Sequence, residues 1–162
     1  MDSLTRSISR RWFLALTALV FGTGAAPRNK PLNVLFVCEA GTVKSPIARE
    51  HMRRLVRERG AMINVQSRGI APENHMTPDL AAVLTADGID VTREPVRKLA
   101  ITDLQDADVI VIFNPLPAAF GAWPVRDWTD VPSMNQDYAA ARAVLVPRIE
   151  ELINELQRKS PE

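Results

Sequence analysis

Apolar and polar positions alternate along this chain with two different periods, and the switches between them mark out the elements. Val34 to Val37 is an unbroken apolar run, the pattern of a strand covered on both faces. From Pro46 to about Arg59 the spacing turns helical, with Ile47, Ala48, His51, Met52, Leu55 and Val56 on one face. Arg49, Glu50, Arg53, Arg54 and Arg57 fall on the other face, read as solvated. Gly60 stops this helix. Met62 to Ser67 alternates, as a strand nearer a sheet edge does. Thr77-Pro78-Asp79 caps a helix running to about Ala86, and Asp87-Gly88 ends it. Helix-capping character returns at Thr102-Asp103. Val109 to Phe113 is a β-branched strand, and Ala122 to Asp127 a short last strand whose Pro124 suits an edge. Asp137 to about Arg158 is helical, with Ile149, Leu152, Ile153 and Leu156 as its stripe. Pro147 predicts a kink or two consecutive segments there. Strands alternating with helices predict an α/β fold: a single domain over residues 31–158, with a four-stranded, mainly parallel sheet and helices on both faces.

The first 26 residues stand outside that pattern. Ser9-Arg10-Arg11-Trp12-Phe13-Leu14 has the outline of a twin-arginine export motif, followed by an uncharged stretch from Trp12 to Pro27 and the small residues Thr23-Gly24-Ala25-Ala26. The apolar run is shorter than the roughly 20 residues of a spanning helix. Residues 1–26 are therefore read as a signal or anchor segment, with Ala25 as the expected last residue if it is cleaved. The protein is then periplasmic or exported, or else held at the inner membrane by this segment alone. Without residues 1–26 the chain has 17 basic and 18 acidic side chains, which gives no footing for nucleic acid.

One cysteine excludes an internal disulfide and a cysteine-rich metal site, and His51 and His75 show no ligand spacing. No metal and no cofactor is expected. His51 is read as a packed or partly exposed histidine, not a general base. Cys38 ends the first strand and opens the segment Glu39-Ala40-Gly41-Thr42-Val43-Lys44-Ser45 before the helix. Ser45 reads as the helix N-cap and Pro46 as its first residue. Amides converging on a helix N-terminus make an anion site, and the same field favours a thiolate, the nucleophilic form. The pattern points to attack by Cys38 on an oxyanion held by Glu39, Ala40, Gly41, Thr42, Val43, Lys44 and Ser45.

Cysteine, five residues, a cation, Ser and Pro after a buried strand resembles the low-molecular-weight protein tyrosine phosphatase family, which includes arsenate reductases on the same fold. Gln66-Ser67-Arg68-Gly69-Ile70 is similar to that family's Ser-Ala-Gly segment. Asp87-Gly88-Ile89-Asp90-Val91 is similar to its Gly-Ile-Asp turn, and Asp106 to Val111 to its third strand. The resemblance covers roughly residues 31–158. It implies phosphomonoester (phosphotyrosine-type) hydrolysis through a cysteinyl-phosphate, with a phosphorylated substrate or an inorganic oxyanion as partner. Lys44 stands where the family has arginine, Gly41 where it has an asparagine and Ala40 where it commonly has a glycine. Ser45 corresponds to the serine that donates to the thiolate. The family's late aspartate, the proton donor, matches Asp127, with Trp128 in place of the usual proline; Asp130 is the alternative. Arg68 is either a second cation for the site or a surface arginine.

Two further readings share the resemblance. One is an impaired, oxyanion-binding pseudophosphatase, because lysine offers a point charge where arginine offers a planar fork. The other is a single-cysteine arsenate reductase, disfavoured because Val43 sits where a second loop cysteine is common. Export has its own test. Replacing Arg10 and Arg11 together by lysine is expected to retain the protein in the cytoplasm, as read by cell fractionation. Unchanged delivery would remove the twin-arginine reading.

Overall fold

The computed structural model describes residues 30–159; the signal or anchor segment of residues 1–26 lies outside them. Four strands, β1 (Leu32–Cys38), β2 (Ile63–Gly69), β3 (Val109–Ile112) and β4 (Val125–Asp127), form one sheet in the order β2-β1-β3-β4. Every pairing is parallel, so the sheet is all-parallel where the pattern predicted mainly parallel. The register places Cys38 beside Gly69, Val37 beside Ile112, and Ile112 beside Asp127. The carboxyl ends of all four strands therefore share one edge, where ligands bind in such sheets.

Alternation along β1 feeds two cores. Val34, Phe36 and Cys38 face the layer of α1 (Lys44–Arg59), α2 (Pro78–Ala86) and α4 (Tyr138–Lys159). Leu35 and Val37 face the opposite layer, with Ile110, Ile112 and Leu104 of α3 (Ile101–Asp106). Phe36, Phe113 and Trp128 meet at centroid distances of 5.9 to 6.1 Å, so an aromatic triad pins the end of β4 to the first core. β2 and β4 are the edges, as their patterning indicated.

Local signals explain most boundaries. Gly60 ends α1 in the left-handed conformation, at φ 61°. Thr77 Oγ1 accepts from the Leu80 N–H, with Pro78 at the first position of α2. Asp103 accepts from the Ala100 N–H at the start of α3. Two expectations change and a third narrows. α1 begins at Lys44, with Val43 and not Ser45 at the N-cap. Of the two outcomes expected at Pro147, division into two segments does not occur: α4 is one helix from Tyr138 to Lys159. Its stripe, Leu145, Ile149, Leu152, Ile153 and Leu156, is buried on both sides of the proline, and that packing offsets one lost backbone bond. Arg49 and Glu50, read as solvated, are buried at 2% and 8% exposure. Arg49 donates from Nε to Glu50 Oε1 at 2.7 Å and from Nη1 to Ser67 Oγ at 2.9 Å, and it lies 3.3 Å from Glu94. A charged side chain enters the interior only with such partners.

His51 is buried, consistent with a packed histidine. Its Nε2 lies 2.9 Å from the Tyr138 hydroxyl, which donates to Asp87 Oδ2 at 2.6 Å. With the hydroxyl proton committed to Asp87, Nε2 carries the imidazole proton. Burial pushes the histidine from its ordinary 6.5 down to about 4, against the pull of Asp87. The unfolded chain takes this proton near 6.5 and the folded one resists it until about 4. The stabilisation is therefore full above pH 6.5 and lost as pH falls through 4, by up to about 3 kcal/mol. Urea midpoints measured between those pH values are expected to fall in the native protein and to fall less in His51→Gln. Parallel slopes for the two would assign the acid sensitivity elsewhere.

Candidate functional site

The turn from Cys38 to Lys44 is built by committing its carbonyls outward. The carbonyls of Cys38, Glu39 and Ala40 accept from the N–H groups of Ile70, Ala71 and Glu73, at 3.0, 2.8 and 3.1 Å. Thr42 Oγ1 donates to the Glu73 carbonyl and accepts from the His75 N–H, which fastens the far side. Among the described residues, the N–H groups of Ala40, Thr42, Val43 and Lys44 donate to none. That leaves a run of amide donors around the N-terminus of α1, the arrangement that holds an anion.

Two glycines allow the turn to lie this close to β2. Gly41 has φ +70°, and a Cβ built on it would sit 2.8 Å from the Cα and N of Gly69. The reverse holds for Gly69, whose Cβ would meet Gly41 backbone at 2.9 Å. The tolerance for a left-handed backbone expected at Gly41 is used.

The thiol faces inward. Cys38 Sγ is buried at 4% exposure and lies 3.1 Å from Ser45 Oγ. It accepts from the Gly41 N–H at 3.3 Å and the Ser45 N–H at 3.4 Å. Ser45, relieved of capping, sits inside the first turn of α1, and its hydroxyl lies between the sulfur and the Arg68 carbonyl, 3.2 Å away. Glu39 is exposed, and its N–H donates to Asn114 Oδ1 at 3.0 Å. Asn114 was missed in the sequence. Its position just past β3, on the carboxyl edge, was the available signal.

Lys44 is the loop's cation, and its Nζ donates to the Val131 carbonyl at 2.6 Å. Burial pulls the ammonium below the ordinary lysine range, while Cys38 and Asp130 pull it up. No residue-type signal could have found a backbone carbonyl as partner. Of the two candidate acids, Asp127 ends β4 and is exposed. Val125 packs with the Leu35 core, so alternation puts Asp127 on the face opposite Cys38 while Trp128 turns inward. Asp127 Oδ1 accepts from the Thr129 N–H at 2.9 Å, and hydrogen bonds from Thr129 hold its carboxyl below the usual range. Asp130 is gripped at both oxygens by Arg148, which depresses its carboxyl likewise. Arg68 is no second cation for the loop. It lies on the other face of β2, bound to Asp103 at 2.8 to 2.9 Å.

Residues 33–116 match the family described as low molecular weight phosphotyrosine protein phosphatase. No curated protein matches the chain by sequence. Among solved structures, YfkJ from Bacillus subtilis is 20% identical with a TM-score of 0.70, covering 83% of this chain and 99% of its own. A low molecular weight protein tyrosine phosphatase from T. tengcongensis is 21% identical, with a TM-score of 0.64 over 76% of this chain and 99% of its own. An arsenate reductase in the phosphate binding state is also 21% identical, with a TM-score of 0.62 over 76% of this chain and 98% of its own.

Gly41→Ala is expected to cost more stability than Gly60→Ala, by urea denaturation. Both positions are left-handed, costing about 1–2 kcal/mol for a side chain, but only Gly41 also meets backbone, since Gly60 has open space around it. Equal costs would show that the turn can move off Gly69.

Proposed function

We propose that this chain, which belongs to the low molecular weight phosphotyrosine protein phosphatase family, hydrolyses phosphomonoesters of the aryl, phosphotyrosine type through a cysteinyl-phosphate. The observation that carries the reading is the inward thiol: Sγ ringed by two amide donors and the Ser45 hydroxyl, inside a turn with four uncommitted amides. An oxyanion seated on those amides meets the sulfur head-on.

In the first step the Cys38 thiolate attacks phosphorus. The S–P bond forms as the ester O–P bond breaks, and Ser45 and the loop amides stabilise the charge on both sides. By resemblance the proton for the leaving oxygen comes from Asp127. That residue shares the carboxyl edge but presents its side chain to the opposite face, so this role asks its carboxyl to leave Thr129 and turn toward the loop. In the free protein that carboxyl is held ionised; a phosphate dianion beside it raises its proton affinity, the condition for a donor. Water then gives a proton back to that carboxylate as it attacks phosphorus; the new O–P bond forms as the S–P bond breaks, releasing inorganic phosphate and the thiolate. Lys44 holds an equatorial oxygen, leaving the Val131 carbonyl to do so.

Binding without turnover is the second reading. It is favoured by that same bond: an ammonium committed to a carbonyl at 2.6 Å has a contact to break before it reaches an anion, and it lacks the fork of a guanidinium. The twin-arginine motif and the apolar stretch after it support action outside the cytoplasm.

Purified protein is expected to hydrolyse p-nitrophenyl phosphate weakly. Cys38→Ser abolishes turnover, Asp127→Asn lowers it, and Lys44→Arg raises it by about tenfold or more, within the range one well-placed donor commands. Turnover that survives Cys38→Ser would end the nucleophile assignment; an inactive protein that still binds phosphate would select the second reading.

A further inference from the structure

One charged pair beside the site has no part in the steps above. Arg148, in the middle of α4, donates to Asp130 from both ends of its guanidinium, Nη1 to Oδ1 at 2.7 Å and Nη2 to Oδ2 at 2.5 Å. The very next residue, Val131, supplies the carbonyl that holds Lys44 at 2.6 Å. Asp130 is thus the residue next to the anchor of the loop's cation. Yet the two charges are not paired: Asp130 bridges to Arg148, and among the described residues Lys44 bridges to no carboxylate.

We infer that Arg148 is a positioning residue which, by occupying both oxygens of Asp130, keeps that carboxylate off Lys44. The ammonium then has a neutral carbonyl and not a carboxylate to leave when it turns to an oxyanion. The turn has little freedom to separate the charges otherwise. Val131 and Trp128 are buried at 2% and 8% exposure, and the Val131 N–H donates to the Trp128 carbonyl, so the backbone around Asp130 is fixed. Asp130 is exposed, so an unpaired carboxylate there is drawn to the half-buried ammonium as a partly screened pair, which keeps the competition modest. Lys44 already feels Asp130 in the resting protein. A bidentate guanidinium removes the competitor, with geometry that a lysine at position 148 could not reproduce.

A purely mechanical role, α4 stapled to the turn, makes a different prediction. If Asp130–Arg148 is only a staple, removing either partner has the same effect. If Arg148 shields Lys44, the two removals differ, because Asp130→Asn removes the competitor along with the pair.

The inference rests on the oxyanion reading of the site, so the experiment has one arm for each. In the anion-free protein, the side-chain ammonium resonance of Lys44 is followed by NMR. It is expected to shift in Arg148→Ala and to return in Arg148→Ala/Asp130→Asn. Inorganic phosphate is then titrated into each. Arg148→Ala is expected to bind about threefold to fivefold more weakly than the native protein. Asp130→Asn binds at least as tightly as native, the double variant recovers, and the gap closes at about 1 M salt, where the Debye length is about 3 Å. Equal weakening in Arg148→Ala and Asp130→Asn, or a Lys44 resonance unmoved by Arg148→Ala, overturns the shielding role. A native protein that binds no phosphate, with the resonance behaving as expected, overturns the oxyanion reading and leaves the shielding of Lys44 supported.

Discussion

Three outward hydrogen bonds govern this protein. By giving the carbonyls of Cys38, Glu39 and Ala40 to residues 70–73, the chain continues the β1–β2 ladder past the end of the strands and commits one side of the turn's backbone. The amide side is then left without backbone partners among the described residues. This is possible only because Gly41 and Gly69 let two backbones pass at a distance no Cβ would permit. The Ser45 side chain, the start of α1 and the direction of the thiol all follow from that closure.

Around it the protein spends its other constraints on the segments that meet at the carboxyl edge. The aromatic triad of Phe36, Phe113 and Trp128 fixes the end of β4 and thereby turns Asp127 outward. The buried Arg49, tied to Ser67 and Glu94, joins α1 to β2 and to the segment beyond α2. The pairing of Lys44 with Val131 joins the loop to the β4–α4 turn. On the proposed function, position 44 is both a charge for the oxyanion and a strut between elements. A longer guanidinium there would have to satisfy both demands, which sets the context in which the lysine should be judged.

The sequence was most legible where one physical cause acted alone. Apolar periodicity located all four strands, and Gly60 and Thr77-Pro78 closed and opened helices as local chemistry requires. Legibility failed where two causes competed. Ser45 has the chemistry of an N-cap, but a sulfur at 3.1 Å claims its hydroxyl, so the helix starts one residue before it, at Lys44. Arg49 and Glu50 have the composition of a solvated face, yet their mutual bond and the Ser67 contact make burial tolerable, and those partners are distant in sequence. Pro147 allowed either a kink or a division of the helix, and the packed stripe keeps it one helix. Spacing singled out Cys38 and the residues up to Ser45 as a candidate site; the Val131 carbonyl and the Asp130–Arg148 pair were not legible, because register and turn geometry decide them.

The solitary thiol has a bearing on how long the protein lasts. An oxidant that reaches Cys38 leaves a sulfenic acid, and the chain holds no second cysteine to trap it as a disulfide. Recovery then depends on a thiol supplied from outside, or on capture by a neighbouring backbone nitrogen; failing both, the sulfur advances to an acid that ordinary reductants cannot restore. Its shelter among the amides, at 4% exposure, is thus also a slow clock against peroxide.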